Sequence, residues 1–226
     1  MKKRTKIIII SIILLIIVGT ITFKVLSDFN KEKQLKEEIK EIIKYYEKDL
    51  YNDPKLIKIL DRQVIKKGQY KNVETSIKNY YKDLTEDLSN LDFLLSEDNY
   101  STYLTEKNIK EDQPTFIKSK DNLDNTQKQI ESVYTEIETQ LNDQTHIVTY
   151  ILDEDVKNYY KEFYLSLVND YLTKEYKESL TNKKDLVLKN INTYQDTFDY
   201  LISTKGKWDI ESNVIRFKDP IQQEEY

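Results

Sequence analysis

Three hydrophobic patterns follow one another along this chain. Residues 7–23 contain no charged side chain and consist mainly of Ile, Leu and Val. From Phe29 to Leu201, hydrophobic residues recur every three or four positions, which is the period of an α-helix. Between Trp208 and Phe217 they come close to the alternation of β-strands. The pattern predicts a mainly α-helical protein with an apolar N-terminal helix and a small C-terminal β-hairpin.

The first pattern predicts a transmembrane helix. Its seventeen residues reach roughly 25 Å, near the lower limit for crossing a membrane, and Val25 and Leu26 extend it if Lys24 reaches its ammonium group to the interface. A cleaved signal peptide is the alternative, but the apolar run exceeds the usual ~7–15 residues and no A-x-A-like site follows it. The chain has no cysteine, which excludes a lipidated cysteine. We therefore predict an uncleaved signal anchor.

The orientation of this anchor follows from the residues before it. Four of the first six residues are basic and none is acidic, and such clusters stay on the cytoplasmic side of a membrane. The rest of the chain is then extracytoplasmic. The predicted segments are a cytoplasmic basic segment (1–6), a transmembrane signal anchor (7–26), a helical bundle (27–206), a β-hairpin packed on the bundle (207–219) and a frayed C-terminus (220–226).

The bundle divides at polar, Gly and Pro positions. We predict helices over 29–51, from Pro54 to about Gly68, over 70–91, from Phe116, from Asp153, and from an Asn182 cap to about Gly206. Residues 96–114 have a less regular hydrophobic spacing, and the apolar run at residues 147–152 fits either a helix or a strand. Together these segments predict an elongated bundle of five to seven helices. Trp208, the single tryptophan, is expected to fix the hairpin to it.

Charge narrows the choice of partners. The chain has 35 basic and 40 acidic residues, and without the four N-terminal cations the outer part has a formal charge of −9. This argues against nucleic acid and against docking on an anionic lipid surface. We expect the membrane to be contacted through the N-terminal helix, with a membrane protein or the cell wall as partner. The sequence does not indicate an oligomeric state.

Residues with catalytic or metal-binding potential are few. His146 is the single histidine, so the spacing Asp143-x-x-His146 lacks the second His-bearing helix of a di-iron bundle. Zero cysteine removes thiolate chemistry, and three glycines provide no phosphate-binding loop. The sequence therefore predicts no catalytic residue, no cofactor site and no metal site.

Carboxylates are the remaining candidates for chemistry, since paired acids can hydrolyse glycosides when a cleft holds them at a defined separation. Asp153-Glu154-Asp155 lacks the Gly-containing spacing of an EF-hand, so we interpret it as the start of a helix. The other acids considered are Glu136, Glu138, Asp196 and Asp199. They are interpreted as solvated helix faces.

These observations favour a non-catalytic binding or scaffold protein that is anchored in the membrane and faces the cell envelope. Two alternatives stay open. One is a hydrolase or transferase that acts on envelope polymers through a carboxylate pair. The other is a receptor for a small ligand bound between helices.

Overall fold

The structure is a computed structural model that describes residues 2–152, 156–169, 172–211 and 214–218, with the backbone alone for residues 2–13, 211 and 214. It is mainly helical and ends in a two-stranded hairpin, as predicted. Its α-helices are α1 (Lys2–Tyr46), α2 (Pro54–Asp61), α3 (Gln69–Leu95), α4 (Glu106–Asp112), α5 (Ile117–Asn142), α6 (Gln144–Leu152), α7 (Asn158–Asn169) and α8 (Lys174–Ser203). The strands are β1 (Trp208–Glu211) and β2 (Val214–Phe217), and two short 3-10 helices cover Glu97–Asn99 and Ser101–Leu104.

Helix α1 joins the apolar N-terminal segment to the first amphipathic segment without a break. Its C-terminal part buries Leu35, Ile39, Ile42 and Tyr46, which recur at helical spacing on one face. The helix ends at Tyr46, five residues before the predicted end, and Asp49 follows in the left-handed region at φ 54°. The apolar segment and the packed segment are therefore parts of one helix.

The predicted signal anchor is only partly covered by the description. Among the helices whose side chains are described, none carries an apolar stretch long enough to span a membrane. Residues 7–13 of that anchor lie outside the described side chains, and the predicted frayed terminus at 220–226 lies outside the described residues altogether.

Helix α2 begins as predicted but ends early. Asp53 caps it by accepting the N–H of Lys55 at 2.7 Å, and Pro54 occupies the first turn. The helix stops at Asp61 instead of near Gly68 because residues 64 and 65 donate their backbone N–H groups to the Glu74 carboxylate of α3. The predicted C-terminal boundary was wrong because a contact from another helix sets it.

Two further boundaries differ in the second half of the chain. Residues 147–152, left open between helix and strand, belong to α6. The last helix does not start at Asn182, which lies inside α8; Thr173 caps it by accepting the N–H of Tyr176 at 3.2 Å. That helix is thirty residues long, and the described part of the chain contains eight α-helices where five to seven were expected. The predicted helix start at Asp153–Asp155 lies outside the described residues, and α7 begins at Asn158.

The C-terminal hairpin packs on helical residues through its apolar face, as predicted. Its strands are antiparallel, with Trp208 opposite Phe217. The Trp208 indole N–H donates to the Leu201 carbonyl at 2.9 Å, and its ring lies 6.2 Å from that of Phe116. Trp208, Leu201 and Phe116 are all buried, so Trp208 holds the hairpin against α8.

The chain forms two compact units. Unit 1 comprises Met1–Tyr81 and Ile147–Tyr171, and unit 2 comprises Lys82–His146 and Leu172–Tyr226. The core of unit 1 is rich in tyrosine, with Tyr46, Tyr81 and Tyr164 fully buried. In unit 2, α5 packs on α8.

Candidate functional site

A cavity of about 520 Å³ lies beside α1 in unit 1. We call it the Glu32 pocket, and its lining residues are Lys24, Val25, Asp28, Phe29, Glu32, Tyr70, Tyr159 and Tyr160. Three helices supply them: α1, the first turn of α3 and the first turn of α7. Its volume lies within the roughly 300–1,000 Å³ that is usual for small-molecule sites.

Local helix geometry sets the positions of these side chains. Asp28 and Glu32 are four residues apart and therefore share one face of α1. The starts of α3 and α7 are joined by a hydrogen bond in which the Lys157 backbone N–H donates to the Gln69 side-chain carbonyl at 3.0 Å. This bond brings the tyrosines of two helix N-termini to the same part of α1.

Glu32 is the polar centre of the pocket. The Tyr70 hydroxyl donates to its Oε1 at 2.6 Å, and the Tyr159 hydroxyl donates to the same oxygen. Hydrogen bonds to an ionised acceptor are shorter and stronger than neutral ones. Among the described residues, Oε2 of Glu32 accepts no hydrogen bond and no cationic side chain pairs with the carboxylate.

Aromatic rings form much of the pocket wall. Tyr70 and Tyr160 pack edge to face with ring centroids 4.9 Å apart, and Tyr159 and Tyr160 do so at 5.2 Å. The Lys31 ammonium lies 5.3 Å from the centre of the Tyr70 ring and pairs with Asp28 at 3.1 Å. The pocket therefore combines ring surface with two carboxylates, of which Asp28 already has a cation.

The Tyr70 and Tyr159 hydroxyls are held in the neutral form. Burial raises the pKa of Tyr70, and its hydrogen bond to Glu32 raises it further. For Tyr159 the hydrogen bond to Glu32 is the main cause of a raised pKa. A neutral hydroxyl donates a proton in a hydrogen bond but is a poor nucleophile or base. This chemistry is suited to binding.

A second polar feature of unit 1 is a buried ion cluster around Glu74, which is fully buried. Its carboxylate accepts the backbone N–H groups of Val64 and Ile65, each at 2.7 Å, and the Lys78 ammonium at 2.7 Å. Lys78 is also buried, and its ammonium lies 3.5 Å from Glu38.

These bonds give the Glu74 cluster a structural role. Arg62 donates to Glu38 at 3.0 Å, which links the end of α2 to α1. A groove of about 690 Å³ runs beside these two residues. Because Glu74, Glu38 and Lys78 are occupied by one another and by the backbone, the cluster holds residues 62–65 in place and leaves little charge for a ligand.

No family model, curated protein or solved structure matches this chain.

The acids and the histidine considered from the sequence lie elsewhere. Asp143 directly follows α5 as its C-cap and accepts the Thr145 N–H at 2.8 Å, and His146 is half-buried in α6. Glu136 and Glu138 are both exposed on α5.

Two further acids lie on α8, where Asp196 is exposed and Asp199 pairs with Lys120. Within the described part of the chain, no group of three or more metal-ligating side chains occurs. The Asp153–Asp155 cluster lies outside the described residues.

Sequence reasoning missed the Glu32 pocket. Helical spacing with Phe163 and Leu167 predicts that Tyr159 lies in the hydrophobic stripe of its helix, but its side chain is 56% exposed. The helical period gave no usable signal for this, because two adjacent tyrosines can share one buried face, as Tyr80 and Tyr81 of α3 do. The pairing with Glu32 joins residues 127 positions apart, which periodicity does not predict.

Proposed function

We propose that this protein is a membrane-anchored, extracytoplasmic binding or scaffold protein of the cell envelope without catalytic activity. The observation that carries the proposal is the continuity of α1 from the apolar segment into the core of unit 1. A single helix of this kind joins an anchor to a binding domain directly.

The exposure of the apolar segment supports this role. Nine large apolar side chains between Leu14 and Leu26 are each 50–76% exposed. Full burial of one such side chain is worth roughly 1.5–3 kcal/mol, so a long exposed run is costly in water. A lipid environment removes that cost, and the basic residues before the run favour a cytoplasmic N-terminus.

The same helix supports a role at the membrane surface. Glu32 follows Leu26 by six residues, or about 9 Å along the helix axis. An anchor that ends near Leu26 would hold the Glu32 pocket close to the lipid headgroups. Phe29 and Tyr159, both more than half exposed, would then be available at that level.

The enzymatic alternative needs two acids with perturbed pKa values that face one cavity. Burial raises the pKa of Asp87, which belongs to unit 2 and lines neither the Glu32 pocket nor the groove beside Glu38 and Arg62. We therefore place binding ahead of hydrolysis.

Cysteine labelling in intact cells tests the anchor, because the chain has no native cysteine. Three single-cysteine variants are compared: Thr5→Cys before the apolar run, Glu47→Cys after α1 and Asn192→Cys on α8. A membrane-impermeant maleimide should label the second and third, and Thr5→Cys only after permeabilisation. Labelling of Thr5→Cys in intact cells, or release of the protein from membranes by alkaline carbonate, would contradict the proposal.

Photo-crosslinking tests the binding role. A benzoylphenylalanine at Tyr159 or Phe29 is compared with one at Phe93, which is also exposed but belongs to unit 2. We expect the probe at Tyr159 or Phe29 to form a stoichiometric adduct with a membrane or cell-wall component. The probe at Phe93 should not form this adduct. Equal adduct formation at all three positions would mean that the pocket face has no specific partner.

A further inference from the structure

We propose that the Glu32 pocket binds an organic ammonium cation, such as a primary or quaternary alkylammonium group. The inference deepens the proposed binding function by naming a ligand class. It depends on the geometry of unit 1 and not on the anchor, so it can fail or stand separately.

The uncompensated charge of Glu32 is the first argument. Asp28 is paired with Lys31 at 3.1 Å, whereas the described residues contain no ion pair to Glu32. The two tyrosine hydroxyls that donate to Glu32 are neutral, so they stabilise its negative charge without cancelling it. A partly buried carboxylate of this kind attracts a cation.

The aromatic wall is the second argument. Ring faces attract cations by their quadrupole, and ammonium groups bound in aromatic cages use this attraction. One such cation–π contact is already present in this wall, because the Lys31 ammonium lies 5.3 Å from the centre of the Tyr70 ring. Tyr159, Tyr160 and Phe29 add further ring surface to the cavity.

Other classes of ligand fit less well. An anion would meet the negative charge of Glu32. A bare Ca²⁺ ion needs six to eight oxygen ligands, and Glu32 and Asp28 supply too few. Lys24 also lines the pocket, but it is exposed and does not pair with Glu32, so solvent screens its charge.

Choline and its neutral isostere 3,3-dimethylbutan-1-ol separate charge recognition from simple apolar binding. The full chain is studied in a maltoside detergent, which contains no ammonium group, by saturation-transfer NMR and calorimetric titration. We expect choline to bind and the neutral isostere to bind at least fivefold more weakly. Equal affinity for the two compounds would overturn the proposal.

Matched variants locate the site. Glu32→Gln keeps an acceptor for the tyrosine hydroxyls but removes the charge, and should weaken choline binding at least fivefold. Glu47→Gln, an exposed acid on the same unit, should leave it unchanged. Tyr159→Leu, at an exposed position that does not threaten folding, should weaken binding twofold to fivefold, whereas Tyr159→Phe keeps the ring and most of the affinity. Identical affinities for Glu32→Gln and Glu47→Gln would overturn the proposal.

Reconstitution identifies the source of the cation. The full chain is placed in phosphatidylglycerol vesicles with or without phosphatidylethanolamine. A fall in apparent choline affinity with phosphatidylethanolamine identifies a lipid headgroup as the occupant, and an unchanged affinity identifies a free ammonium compound. Both results require choline binding, and its absence in the vesicles and in detergent overturns the proposal.

Discussion

Tyr45 and Tyr46 are adjacent in α1 but occupy different environments. Tyr46 is fully buried, its hydroxyl donates to the Tyr81 carbonyl at 2.9 Å, and its ring packs against that of Tyr81. Tyr45 is half-buried, and its hydroxyl makes no hydrogen bond to the described residues. Tyr46 therefore stabilises the contact between α1 and α3, and Tyr45 is a natural control for the loss of a tyrosine hydroxyl.

Tyr46→Phe should lower the free energy of unfolding by about 1–2 kcal/mol, because it removes a buried hydrogen bond while keeping the ring. Tyr45→Phe should change it by less than about 0.5 kcal/mol. Urea denaturation of the full chain, followed by far-UV circular dichroism, measures both. A similar cost for the two substitutions would show that the Tyr46 hydroxyl does not stabilise the fold.

Asp87 gives a residue-level prediction about pH. Burial raises its pKa above the ordinary value of 3.8, the Gln140 amide that donates to it lowers the pKa, and Glu136, Glu86 and Asp83 raise it again. Its native state binds a proton more tightly than the unfolded chain does, so its contribution to stability improves as pH falls from the raised pKa toward 3.8.

Asp87→Asn removes this titration. The stability of the variant relative to the wild type should be highest at neutral pH and should fall as the pH is lowered toward 4. Chemical denaturation at several pH values measures the difference, with Glu138→Gln as an exposed control on α5. A difference that stays constant from pH 7 to pH 4 would contradict the raised pKa.

At the scale of elements, hydrophobic period was sufficient to predict where helices lie but not where they end. The stripe from Tyr70 to Leu91 and the stripe of α5 are buried as predicted. The end of α2 depends on Glu74, ten residues beyond Val64, and the start of α8 depends on a Thr173 cap. These ends are set by individual hydrogen bonds, which a periodic pattern does not encode.

The Glu74 cluster makes the end of α2 testable. Glu74→Gln removes the charge that pairs with buried Lys78 and turns one carboxylate oxygen into an amide that cannot accept a backbone N–H. We expect a loss of about 3 kcal/mol, the usual cost of breaking one side of a buried ion pair.

The control is Glu47→Gln, an exposed acid just after α1 that should cost less than about 0.5 kcal/mol. Unfolding in urea compares the two variants. If Glu74→Gln is as stable as the control, residues 62–65 are held by something other than this carboxylate.

For the whole molecule, composition and period predicted a mainly helical protein with a terminal hairpin, and Trp208 was correctly predicted as the contact of that hairpin. The division into two units and the Glu32 pocket were not predicted. Both depend on contacts between residues far apart in sequence, such as Glu32 with Tyr159. A single sequence reveals such pairings only when a motif marks them.

Removal of residues 1–26 tests the anchor at this scale. The buried face of α1 starts at Leu35, so the shortened protein should fold, remain mainly helical and no longer partition into membranes. Size-exclusion chromatography and far-UV circular dichroism measure this. Aggregation or loss of helix would mean that the apolar segment belongs to the folded domain.

The order of the two units along the chain has a consequence for synthesis. Residues 1–81 and 147–171 make up unit 1, and the intervening segment together with the C-terminal segment makes up unit 2. Both α3 and α6 continue across a boundary between the units. A chain that leaves the ribosome from its N-terminus cannot complete unit 1 until α7 has emerged. By then the first half of unit 2 is already outside and still lacks α8. Unit 1 therefore stays open until residue 171 has emerged and unit 2 until α8 has followed, so the apolar surfaces of both units are exposed together for part of synthesis.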